Sequence, residues 1–291
     1  MFDRHSGLAE RIEEWPVNNC SCFVLNFRSG SVDIVGDQGL LFRWASVSKL
    51  ASSLGLLSAV TEGVFGLDEK LTNGSIVSDV LAHASGLATD IDLSRDIFNQ
   101  KLVVPARTKR IYSNIGFELL ATEFEIISKI QFKDYLADVL FRVAGMETAS
   151  VSGDFWPHAG RSGAAAGILG SLNDLIGLAT ALYSGTPYLD NDLLSRAKTP
   201  YLPDLPGILP GFGDMPRNPW GLGLEIRGDK FPHWTSRSNS PATYGHFGAS
   251  GTFLWIDPSV QLAVGVLTDR DFGPWAQQCW PVLSDFVIES Y

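Results

Sequence analysis

Hydrophobic positions along this chain recur first with the period of a strand, then with that of a helix, and then with that of a strand again. After an opening acidic helix, GLAERIEEW, the stretch CSCFVLNFRSGSVDIVGD alternates apolar and polar residues on either side of an RSGS turn. Gly30 supplies that turn, so the stretch predicts a β-hairpin. From Ala45 the pattern changes. In KLASSLGLLSAVTEGVFGLDEKL, Leu50, Leu54, Leu57 and Val60 recur at helical spacing and Gly63 can close the helix. Ser46 therefore falls near a helix N-terminus.

Helical spacing continues through IGFELLATEFEIISK, FKDYLADVLFRVAG and SLNDLIGLATALYSG. Residues 186–219 are dense in proline and glycine, which predicts a mostly irregular loop rimming a cleft. Strand patterns return in WGLGLEIRG, GTFLWIDP and LAVGVLTD, and a helix from about Trp275 to Tyr291 ends the chain. This order predicts an α+β fold with an antiparallel sheet flanked by helices and a mainly helical second lobe. Residues 1–66 and 184–291 would form the sheet lobe and 67–183 the helical lobe, as one structural unit with a site between them.

Composition narrows the function classes. With 291 residues, 45% hydrophobic and 19% charged, the chain can bury a large core and is not disordered. A net charge of −10 with dispersed basic residues argues against a nucleic-acid partner. No apolar run approaches the roughly 20 residues that span a bilayer. The N-terminal MFDRHSGLAERIEEW mixes charges where a signal peptide is apolar, so a soluble, cytoplasmic protein without a membrane partner is expected. Cys20 and Cys22 lack the second half of a zinc site and Cys279 stands alone, which predicts free thiols. The histidines at 5, 83, 158, 233 and 246 show no metal-ligand spacing, so neither metal nor cofactor is expected. His83 reads as a hydrogen-bonded structural residue, and His158 and His233 as surface or loop residues.

The candidate chemistry starts at RWASVSKLASSLG. Residues three apart on a helix share a face, so Ser46 and Lys49 can meet, and the positive end of the first turn favours an alkoxide. A serine needs a group to take its proton before it is a useful nucleophile. The same spacing recurs at Ser195 and Lys198, where no companion motif follows, and Ser195 reads as a solvated helix residue. Two further elements distinguish the first copy. Tyr112, Ser113 and Asn114 form the chain's single YxN, just before an amphipathic helix. His246, Phe247 and Gly248 form an HxG whose glycines lead into a strand able to present backbone N–H groups, unlike the HxG at 158–160, which precedes no strand. Ser113 and Ser250 flank these motifs with side chains expected to point away. Trp44, Trp220 and Trp234 read as core residues more readily than as a pocket lining. No GxSxG elbow exists, and strands do not alternate regularly with helices, which argues against an α/β-hydrolase.

With SxxK, YxN and HxG in this order, the chain resembles the serine β-lactamase and penicillin-binding-protein superfamily, most of all its branch of class C β-lactamases, esterases and D-alanyl-D-alanine peptidases. LLSAVTEGVFGLDEKL, VLAHASGLATD, PARTKRIYSNIGFELL and NPWGLGLEI support the resemblance, which spans roughly residues 22–270. It implies that Ser46 is acylated, that Lys49 is its hydrogen-bond partner, and that Tyr112 is the general base or shares that duty with Lys49. Asn114 would orient a substrate amide, and the N–H groups of Ser46 and of Ala249, the residue after Gly248, would form the oxyanion hole. The pattern departs where His246 and Phe247 replace the lysine and threonine of class C β-lactamases. A largely neutral imidazole removes a cation that would hold a β-lactam carboxylate. The expected substrates are therefore small esters or amides ahead of β-lactams. The alternative is a penicillin-binding or regulatory protein that acylates without turnover.

Overall fold

The computed structural model describes residues 4–155 and 162–291. The second HxG, with His158, lies outside the described residues. Helix α1 (Arg4–Glu13) leads into strands β1 (Cys20–Asn26), β2 (Ser31–Val35) and β3 (Phe42–Arg43), then helices α2 (Ser48–Thr61), α3 (Val77–Leu81), α4 (Asn114–Ser128) and α5 (Phe132–Leu136). Strands β4 (Ser150–Val151) and β5 (Ile168–Gly170) precede α6 (Leu172–Ser184) and α7 (Asn191–Ala197). The chain then forms β6 (Gly207–Leu209), β7 (Gly213–Met215), β8 (Glu225–Ile226), β9 (Tyr244–Gly248), β10 (Thr252–Asp257), β11 (Leu262–Thr268) and α8 (Pro274–Ser290).

The two ends of the chain build one antiparallel sheet in the order β2-β1-β11-β10-β9-β8. Side chains alternate across it, as the two-residue period of a strand requires. Cys22, Val24, Phe253, Trp255, Val264 and Val266 pack with Leu8, Ile12, Trp280 and Leu283 of α1 and α8. Their neighbours Phe23, Leu25, Leu254, Ile256, Ala263 and Leu267 belong to the larger core with α2, α4 and α6. Both faces are thus covered, which is why β10 and β11 read as nearly continuous apolar runs. Helix α6, inside the 67–183 segment, packs on this sheet against β1, β10 and β11. Its start is held by a capping box between Ser171 and Asp174.

Three expectations need correction. WGLGLEIRG is strand only at Glu225–Ile226, because Gly223 takes φ +86° and the Gly221 N–H turns back to the Leu224 carbonyl. The 186–219 segment holds helix α7, capped by the Asp190 side chain, and the β6–β7 hairpin, so it is more regular than its prolines suggest. FKDYLADVLFRVAG does not run as a single α-helix: α5 widens into a π-helical stretch over Ala137–Phe141. Cys20, Cys22 and Cys279 are free thiols, as the sequence implied.

Candidate active site

Ser46 sits in a tight 3₁₀ turn, Ala45–Val47, that runs directly into α2. The residue before the turn is clamped from two sides: the Trp44 N–H donates to the Ile168 carbonyl at 2.9 Å, and the Trp44 carbonyl accepts from Thr252 Oγ1 at 3.0 Å. Ala45 follows with φ +44°, turning the chain so that Ser46 is half-buried at the cleft while its neighbours are buried. The small residues of KLASS have a structural purpose here. Ser48 Oγ accepts from the Ile168 N–H at 3.0 Å and Ser52 Oγ donates to the Ala164 carbonyl at 2.7 Å, which lays segment 164–168 along α2.

The YxN motif meets this turn from α4. Ser113 caps that helix through its side chain, which bonds Gly116 N–H and the Ala88 carbonyl and so points away from Ser46. Tyr112 lies just before the cap, and its hydroxyl donates to Ser46 Oγ at 2.6 Å. Lys49 spends its donors on other partners. Its Nζ donates to Asn114 Oδ1 at 2.6 Å and to the Ala165 carbonyl at 2.7 Å, and the hydroxyl that bonds Ser46 is that of Tyr112. Asn114 Nδ2 in turn donates to Asp90 Oδ1 at 2.9 Å, so Lys49, Asn114 and Asp90 form a chain.

Burial sets the protonation of this group. Desolvation pulls the Lys49 ammonium down to about 7, although the carboxylates of Glu118 and Asp90 oppose the change. Desolvation pushes the Tyr112 phenol upward, so it stays protonated at neutral pH. A neutral amine has two N–H donors and one lone pair, and the two acceptors on Lys49 use both donors.

The third motif is itself strand β9. Strand β8 pairs only with Tyr244 and Gly245, leaving the outer edge of His246–Gly248 toward the cleft. The His246 imidazole is buried, and its Nδ1 lies 2.6 Å from the Phe247 carbonyl, so Nδ1 carries the proton and Nε2 the lone pair. Desolvation and the nearby Lys49 lower its pKa to about 3, and it is neutral at physiological pH. Gly248 is where β9 approaches the serine turn: a Cβ there would stand 2.5 Å from the Trp44 carbonyl oxygen and 2.5 Å from Thr252 Oγ1. Replacing Gly248 by alanine is expected to push β9 from Ser46, costing about 1–3 kcal/mol of stability. It should also cost on the order of 10²-fold in kcat/KM, the scale of a displaced oxyanion donor. Thermal melting and steady-state kinetics on Gly248→Ala check both.

These residues line one cavity of about 570 Å³, a size suited to a small molecule. Ser46, Tyr112, Asn114, His246 and Ala249 contribute to its wall. Sequence reasoning missed several others: Asp90, Glu225 and Phe272 also line it, and Trp220, assigned to the core, is buried and also forms part of the wall. The Leu209–Gly211 contribution supports the expectation that the 186–219 segment rims the cleft. Behind the wall, Glu225 accepts from Lys230 at 2.6 Å and from the Trp234 indole at 2.8 Å, and lies 2.9 Å from His233 Nε2. Burial alone would raise the Glu225 carboxyl, yet Lys230 and His233 hold it well below the usual range. His233 is thus buried in an ionic cluster, a correction to the surface position expected for it. His83 is structural, as expected: its Nδ1 accepts from the Ser113 N–H at 3.1 Å. Ser195 is exposed on α7, and Ser250 Oγ donates to the Arg43 carbonyl, so neither faces Ser46.

A sheet built from both chain ends, with a serine at the start of the central helix facing a tyrosine and a strand edge, has the architecture of the serine β-lactamase and penicillin-binding-protein superfamily. Within it the chain belongs to the beta-lactamase family, whose model matches residues 37–283. A β-lactamase (Mb2281c) from Mycobacterium bovis is similar at 37% identity, covering 98% of this chain and 99% of its own, with a TM-score of 0.88. The same fold is shared by a penicillin-binding protein from Bacillus halodurans, at 16% identity over 95% of this chain and 98% of that one (TM-score 0.72). It is shared too by EstCE1, a hydrolase with promiscuous acyltransferase activity, at 14% identity over 98% and 97% (TM-score 0.75). No curated protein matches the chain. Among the described residues, no helix is long and apolar enough to cross a membrane.

Proposed function

We propose that the protein hydrolyses small esters or amides through an acyl-enzyme on Ser46. The observation that carries this reading is the 2.6 Å bond from Tyr112 to Ser46 Oγ at the wall of a ligand-sized cavity. With the phenol donating to Oγ, the serine proton is free to pass to the lone pair of neutral Lys49, one helical turn on. Oγ then attacks the carbonyl carbon, and the oxyanion takes N–H bonds from Ser46 and Ala249. On collapse, Tyr112 gives its proton to the leaving alcohol or amine and recovers one from the Lys49 ammonium. Water repeats the sequence to release the acid. The raised Tyr112 and lowered Lys49 support this division of duty over one in which a phenolate is the base.

The neutral His246 in the third motif supports esters or amides ahead of β-lactams. Intact mass spectrometry after exposure to a fluorophosphonate should show one adduct, and p-nitrophenyl butyrate should turn over far faster than nitrocefin. Comparable rates on the two would reject the substrate assignment, and a burst without turnover would mark an acylating receptor instead. Restoring a cation with His246→Lys is expected to increase penicillin acylation.

A further inference from the structure

The charges that face the cavity are of one sign. Among the described lining residues, Asp90 and Glu225 are acids and none is lysine or arginine. Glu225 is neutralised from behind by Lys230 at 2.6 Å. Asp90 has no such partner: it is exposed and lines the cavity, and among the described residues its single hydrogen bond comes from the neutral Asn114 amide to Oδ1, with no protein donor on Oδ2. The nearby buried cations are engaged elsewhere, Lys49 by Asn114 and Ala165, and Arg110 by the carbonyls of Ala82, Tyr201 and Leu202.

A second, independent group asks for the same chemistry. His246 is 3% exposed, lines the cavity, and has no partner on Nε2. Because its Nδ1 proton is given to the Phe247 carbonyl, Nε2 can only accept. A buried acceptor without a donor is costly, so the ligand that fits is one that brings an N–H.

We propose that this cavity is a receptor for acyl groups carrying a free ammonium, with Asp90 as the counter-ion and His246 Nε2 accepting a further N–H, and that it excludes substrates bearing a carboxylate. The inference deepens the acyl-enzyme reading and rests on it only for the direction in which the ligand's carbonyl faces Ser46. Aminoacyl esters and amides are the corresponding substrate class, and blocking the amine by acylation removes the charge that Asp90 holds.

Three p-nitroanilides of matched length test this: 3-aminopropanoyl, butanoyl and succinyl, ending in an ammonium, a methyl and a carboxylate. Their dissociation constants, measured by calorimetry on Ser46→Ala so that no turnover intervenes, should rank ammonium, methyl, carboxylate from tightest to weakest. About fivefold per step is expected at low salt for a charge at a partly solvated mouth. In Ser46→Ala with Asp90→Asn the ammonium and methyl ligands should bind within about twofold of each other. Equal binding of all three, tightest binding of the succinyl compound, no binding of any, or an ammonium preference that survives Asp90→Asn would each overturn the proposal. Because the readout is affinity, it is separate from fluorophosphonate labelling and ester turnover, which decide the acyl-enzyme reading.

Discussion

Ser46→Ala should lower kcat/KM for p-nitrophenyl butyrate by on the order of 10⁴-fold or more, the loss found when a nucleophile is removed and only binding and oxyanion contacts remain. Ser46 is the hydroxyl that Tyr112 meets at 2.6 Å, and the other cleft serines are committed, Ser113 to the α4 cap and Ser250 to the Arg43 carbonyl. The substitution removes one oxygen at a half-buried position, so melting temperature should change little. A variant that melts normally, retains turnover within tenfold of wild type and still takes the fluorophosphonate adduct would move the nucleophile elsewhere.

The second large effect concerns the Lys49 proton. The proposed base works only as a free amine, so kcat/KM should rise with pH through about 7, where burial has brought Lys49. It should then stay level into the alkaline range, because burial has moved Tyr112 upward, away from neutrality. The sign separates two roles: an ammonium that merely stabilises charge would give activity falling as pH rises through 7. Lys49→Arg sharpens the distinction, since a guanidinium keeps the charge but cannot act as a base. It should lose on the order of 10²- to 10⁴-fold, the same loss expected of Lys49→Met. Substantial rescue by arginine, or a pH profile of the opposite sense, would overturn the base assignment.

The contacts around Ser46 and Lys49 differ in how far the sequence shows them. The β1–β2 hairpin, strands β10 and β11, and helices α2, α4, α6 and α8 follow from apolar periodicity, because burial on a fixed face writes a fixed period into the chain. The three motifs were legible because their spacing is local. What Lys49 touches was not. Helical geometry places it on the Ser46 face, but the carbonyl that holds it comes from Ala165 in a loop laid along α2 by two serine hydroxyls, contacts with no periodic signature. Asp90 and Phe272 reach the cavity for the same reason, from irregular segments whose placement depends on the rest of the fold. WGLGLEIRG misled in the opposite direction: its alternation is that of a strand, and its glycines permit the turn that replaces one. His233 looked like a loop residue because its partner Glu225 is eight residues away across a turn that only the folded chain closes.

Ala45 carries a further cost. A residue with a Cβ at φ +44° gives up about 1 kcal/mol relative to ordinary helical backbone, and the clamp on Trp44 from β5 and β10 is what sustains it. The fold thus keeps its serine turn in a conformation that the local chain would not choose. Glycine would take the same φ without that cost, so the alanine before the serine is held in place by the clamp and not by local preference.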